Sequence, residues 1–169
     1  MVRLDVFKSP ELLATIYALR SIDKTLQAQV RKYTKAIAEP EWKKALAQRA
    51  NTKLEHRVIV DTAVISVSNQ NVRIQSAGKG RPLSGGLNPK TDYAPVEFGM
   101  NAKGVTYNRK NRKRGGSHKV VRVMGTQFPA PRREGPFWQS ARNMVPRLAS
   151  LWVQTTVKTI GNALEGKKE

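Results

Sequence analysis

The chain of 169 residues has no cysteine, only two histidines, His56 and His118, and three tryptophans. Without thiols there is no disulfide framework and no thiolate chemistry, which fits a reducing compartment. With so little histidine, no His/Asp/Glu cluster has metal-ligand spacing, and neither a metal nor a cofactor is expected. Long apolar runs are missing as well. None approaches the roughly 20 residues of a membrane span. Asp5, Lys8 and Glu11 interrupt the opening stretch before it reaches the length of a signal-peptide core, so a soluble protein with no membrane contact is expected.

Acidic side chains are scarce. Against 31 Lys and Arg stand 12 Asp and Glu, a formal charge of +19. The imbalance grows along the chain: residues 1–100 hold 16 basic and 9 acidic side chains, residues 101–169 hold 15 and 3. From Phe98 through Arg133 there are ten basic residues and no acid. Such a field attracts a polyanion or an acidic protein and repels copies of itself, and it is silent about fold.

What is present suits one domain with a single core, for both the length and the 39% hydrophobic content are ordinary for a globular chain. Residues 9–40 read as one long helix. Ser9 is a suitable N-cap, Pro10 fits the first helical position and Pro40 marks the far boundary. Leu12, Ile16, Leu19, Ile22, Leu26, Val30, Tyr33 and Ile37 recur at steps of three and four. "PEWKKALAQRAN" reads as a second, short helix with Trp42 and Leu46 inward. "HRVIVDTAVISVSNQNVRIQSAG" is dense in Val, Ile and Thr and predicts a hairpin, one strand near 56–67 and another near 71–77. "GKGRPLSGGLNPKT" reads as a loop. Residues 100–135 form a basic insertion in which "GVTY" and "KVVRVM" flank "NRKNRKRGGSH". Residues 136–164 read as a last helix, with Phe137, Ala141, Met144, Leu148, Leu151, Val157 and Ile160 inward and Pro146 kinking or dividing it. The order divides the chain into a helical part at 9–50, a β-rich part at 56–99, the basic arm and the C-terminal helix. It predicts an α+β domain: an antiparallel β-sheet packed by a long N-terminal helix and a C-terminal helix, with a basic insertion arm.

No catalytic constellation emerges, and no enzyme is expected. Asp92 and Glu97 could in principle form a carboxylate pair for acid–base work, but they are five residues apart across a proline and nothing forces them together. Glu97 is expected instead to pair with an arginine of this chain or of a neighbouring subunit. Arg109, Lys110, Arg112, Lys113, Arg114, Lys119, Arg122, Arg132 and Arg133 are candidates for contact with a polyanion or an acidic protein, or else a solvated loop. Lysine and arginine contact phosphates without base specificity. Only Tyr107 lies near enough to stack on a base. Trp42, Trp138 and Trp152 are read as core residues, with one of the last two free to face a partner.

The stretch Tyr93-Ala94-Pro95-Val96-Glu97-Phe98-Gly99, followed later by Pro136-Phe137 at the opening of the last helix, resembles the head–tail joining proteins of long-tailed bacteriophages. This is the tail-completion, or neck, group that includes lambda minor tail protein Z. The order of elements is similar too. Two departures stand out: Met100 where the family commonly has threonine, and the basic insertion before the last helix. The resemblance implies a structural virion protein, present in host cytoplasm during assembly and then in the tail neck. Its implied partners are its own copies in a hexameric ring, the neighbouring neck and tail-tube proteins, and, without specificity, DNA in the channel. Tail-terminator and connector-stopper roles in the same neck stay open. So does a reading from another class, a small cytosolic nucleic-acid-binding protein. Within this frame "YAPVEFG" is expected to be an edge strand turning out of the sheet, anchored by Tyr93, Val96 and Phe98, with Pro95 blocking further pairing and Gly99 releasing the chain into the arm.

Overall fold

The computed structural model describes residues 2–3, 9–78, 82–83, 87–111 and 115–165. The first helix, α1 (Pro10–Ser21), starts as its sequence dictates: Ser9 Oγ accepts the Leu12 N–H and Pro10 takes the first position. It does not run on to Pro40. Ile22 is extended (φ −93°, ψ 163°) and Asp23, accepting the Thr25 N–H, caps a new helix, α2 (Lys24–Ala47). The Gln27 amide donates to the carbonyls of Leu19 and Ile22, satisfying acceptors that the end of α1 leaves free. The break was hidden because the three- and four-residue steps of the apolar stripe continue across it.

Pro40 is the second correction. It sits inside α2, and the short helix expected after it is the last part of α2. Pro40 and Ala36, whose carbonyl loses its partner, both lie on the exposed face, where water replaces the lost bond. On the other side Ala38, Trp42 and Leu46 are fully buried and hold the helix continuous. Ile37, expected inward, is exposed.

A helical turn, α3 (Lys53–Glu55), follows and runs into one turn of π-helix at His56–Val60. The strand expected from residue 56 is therefore confined to β2 (Val64–Val67). Val58, Ile59 and Val60 are all buried, and a short unbroken apolar run suits a buried helical turn as well as a strand. β2 pairs antiparallel with β3 (Val72–Gln75), with Val67 opposite Val72. Ser68 closes the turn through its hydroxyl, which accepts the Asn71 N–H and donates to the Asn71 carbonyl. β1 (Val2–Arg3) adds to the other edge of β3.

The largest departure is residues 89–98, which are helical. In α4 (Pro89–Phe98) Asn88 is the N-cap and Pro89 the first residue. Asn88 also donates its N–H to the Asp92 carboxylate. "YAPVEFG" is thus the end of a helix and not an edge strand. The basic insertion carries the two strands expected of it, β4 (Lys103–Lys110) and β5 (Ser117–Met124), joined in an antiparallel ribbon.

The last helix, α5 (Pro136–Leu164), has the predicted ends and is neither divided nor capped by a side chain of its own first turn. Pro146 is tolerated on its exposed face. Phe137, Ala141, Met144 and Leu148 are buried as expected, whereas Val157 is exposed. The buried stripe continues through Trp152, Thr155 and Thr159, whose spacing keeps the helical phase, and threonine is easily passed over in an apolar count. α2 and α5 pack together over the three-stranded sheet, and Trp42, Phe137, Trp152, Ile59, Ile65, Ile74 and Leu148 fill the space. The result is an α+β domain with a separate basic ribbon.

Candidate functional site

The parts of the molecule that carried the sequence signal meet at one joint. Glu97, at the end of α4, is fully buried. Its Oε1 accepts the backbone N–H groups of Gly135 (3.1 Å) and Trp138 (3.0 Å), and its Oε2 accepts that of Phe137 (3.1 Å). α5 has no cap from its own first turn. A carboxylate from α4 fills the role, set against the positive end of the helix dipole and the orphan N–H groups there. Gly135 is required by this approach: a Cβ there would collide with the Glu97 carbonyl and carboxylate.

Arg132 locks the other side. Its Nε donates to the Glu97 carbonyl (2.8 Å), and its guanidinium also reaches the Val96 carbonyl (2.8 Å) and Glu55 Oε1 (2.6 Å). It thereby caps the end of α4 and ties it to α3. Glu55 is buried, and its second oxygen accepts the N–H groups of Asn51 and Thr52 while Thr52 Oγ1 accepts the Glu55 N–H, a capping box. Burial alone would raise the Glu55 carboxyl. The hydrogen bonds from Arg132, Asn51 and Thr52 outweigh it and hold the group below its ordinary value.

Tyr93 packs edge-on against Phe137 (centroids 6.1 Å apart), and Phe137 meets Trp42 (5.5 Å) and Trp138 (5.7 Å) in the same manner. Among the described residues the buried Tyr93 hydroxyl has no hydrogen-bond partner. That burial, with the Glu97 charge added, pushes its pKa well above the ordinary tyrosine value. Pro136 and Val96 are buried, Pro95 is half-buried, and Ala94 and Phe98 face outward.

The hairpin leaves the body through this joint and returns to it. Gly99, with φ 74°, ends α4 and runs against Ala130, where any Cβ would strike the Ala130 carbonyl. Met100 N–H donates to the Pro129 carbonyl (3.0 Å) and Arg132 N–H to the Phe98 carbonyl (2.8 Å). The two ends of the arm are therefore stapled side by side. Beyond them every described residue of β4 and β5 is exposed except Val120, which is half-buried. A two-stranded ribbon with both faces in solvent gains little stability by itself.

Of the predicted contact residues, Arg109, Lys110, Lys119 and Arg122 stand on this ribbon in solvent. Among the described residues no acid is in ion-pair contact with them. Arg112, Lys113 and Arg114 lie outside the described residues. Arg133 is exposed, beside a groove shared with Glu134, Gln139 and Arg142. Arg132 does not belong with them, because its charge is taken up in the joint. The expected Glu97–arginine ion pair is likewise replaced, since Glu97 binds backbone N–H groups and the arginine pairs with Glu55. Asp92 and Glu97 do not come together: Asp92 serves the start of α4 and Glu97 the start of α5. Glu55 escaped the sequence reading, although the Thr52-x-x-Glu55 pattern announces it. Trp42 and Trp152 are core residues, while Trp138 is partly exposed. No protein-family model, curated protein or solved structure matches this chain.

Proposed function

We propose that this chain is a structural assembly protein of the phage neck, a ring-forming tail-completion or head–tail joining subunit that links a tail tube to the head connector. The observation that carries the reading is the Glu97 joint. Its two halves, Tyr93 to Gly99 and Pro136-Phe137, are the two pieces of sequence on which the resemblance rests. They are far apart in the chain and meet where the Glu97 carboxylate accepts the Phe137 N–H, flanked by those of Gly135 and Trp138, and where Tyr93 packs edge-on against Phe137. A motif that holds the last helix in place is what a shared scaffold requires, and an arm stapled at its root is what an insertion in that scaffold requires.

The described surface also suits a component that works by docking. Its charged groups with shifted pKa values belong to helix caps, and its ribbon carries five exposed cations with no acid among them. Head-to-tail contacts around a closing rotation make a ring of such subunits. Purified chain, alone and mixed with tail tubes, is examined by light scattering and negative-stain electron microscopy. Closed rings, or rings capping tube ends, support the reading. A chain that forms no ring alone or with tubes, and binds no tube end, overturns it.

A further inference from the structure

We propose that the β4–β5 ribbon binds duplex DNA without sequence specificity by lying in the major groove, its two faces reaching the phosphates of the two groove walls. Register decides which cations share a face. Val105 stands opposite Arg122, Arg109 opposite His118, and Asn108 opposite Lys119. Because side chains alternate along a strand and opposed residues share a face, Lys103, Arg109 and Arg122 lie on one face and Lys110 and Lys119 on the other. A flat acidic surface would engage one face and leave the other set of cations in water. A groove with negative charge on both walls engages both.

The dimensions agree, for the paired strands stand about 4.8 Å apart and a major groove about 12 Å wide admits a two-stranded ribbon. The cations are available for this work: all five are exposed, no acid among the described residues is in ion-pair contact with them, and none occurs between Phe98 and Arg133. The remaining ribbon residues offer little base reading. Asn108 is the one amide on the strands, and Val105, Tyr107, Val121 and Val123 pair across the ribbon with Arg122, Val120, Thr106 and Gly104. Contact is therefore with the backbone, which positions a protein without reading sequence. Tyr107 is the lone aromatic of the ribbon, whereas single-strand binders stack successive bases on several. Duplex is the better fit.

This inference names what the arm of the proposed neck subunit holds, and it fails separately, since rings form or fail to form whatever the arm binds. The test is fluorescence anisotropy of a labelled random-sequence duplex with the full chain across a salt series. With about 0.9 of slope per phosphate contact, K103Q/R109Q/R122Q should flatten the plot of log affinity against log salt by up to about 2.7, and K110Q/K119Q by up to about 1.8. Exchanging lysine for arginine and arginine for lysine at the same five positions should leave the slope intact. A single strand of equal length should bind more weakly than duplex. Three results overturn the proposal: either face's substitutions leave the slope unchanged, single strand binds as tightly as duplex, or polyglutamate of equal charge competes as well as unlabelled duplex, the last pointing to an acidic protein.

Discussion

Arg132 and Arg109 are both arginines of one basic segment, and the molecule treats them in opposite ways. Arg132 uses its donors inside the joint, on two helix-terminal carbonyls and the buried Glu55 carboxylate. Arg109 stands in solvent on a ribbon with no acid beside it. The contrast extends to the acids, since Glu97 and Glu55 are both buried and both bound to backbone N–H groups. In the joint, charge fixes architecture. On the ribbon, charge is left available for something outside the chain. Net charge alone conceals this division.

If that division is right, substitutions in the two regions should separate cleanly. The largest effect belongs to Glu97→Ala, which strips three N–H groups of their acceptor and opens a hole under α5. A loss of about 3–5 kcal/mol is expected in urea melts. Glu97→Gln keeps the volume and one acceptor oxygen and should cost less than half as much. A small effect for Glu97→Ala would show that the joint does not organise the fold. Next comes Arg132→Ala, expected to cost about 2–4 kcal/mol because it leaves Glu55 buried without its cation and uncaps α4. Arg132→Lys should recover only part, since a lysine cannot reach several acceptors from one planar fork.

A pH titration should give a smaller change with a definite sign. The folded state holds the Glu55 carboxyl below its ordinary value of 4.5. Its contribution is therefore complete above that value and is lost as pH falls through the folded pKa. Thermal melts should show stability declining on acidification below about pH 4.5, and the decline should be shallower in Glu55→Gln. The smallest effect belongs to the ribbon. K110Q/K119Q should move unfolding free energy by less than about 0.5 kcal/mol, as exposed substitutions usually do. A larger loss would mean that those lysines hold the body after all.

Much of the architecture was legible in the sequence, and the failures have physical causes. The ends of α5 and both strands of the ribbon were readable because Pro136 opens the helix and the sequence "NRKNRKRGGSH" separates two runs of strand-forming residues. The break at Ile22 was hidden because Leu19, Ile22 and Leu26 keep helical spacing through it. Its signal was Asp23 as an N-cap. Pro40 and Pro95 were over-read. Proline costs a helix one bond, and packing of Trp42 in one case and of Val96 and Glu97 in the other outweighs that cost. Asn88-Pro89 with Asp92 was a helix start in plain view. The importance of Glu97 was visible in its setting between two apolar residues, but its partners, lying after residue 130, could not be found from local pattern.

The most direct measurement is made on particles. A genome encoding this chain is expressed with and without it, and the products are separated on a gradient and imaged. The account predicts filled heads and finished tails that stay apart when the chain is missing, and that join when it is supplied. Joined, infectious particles formed without the chain would contradict it.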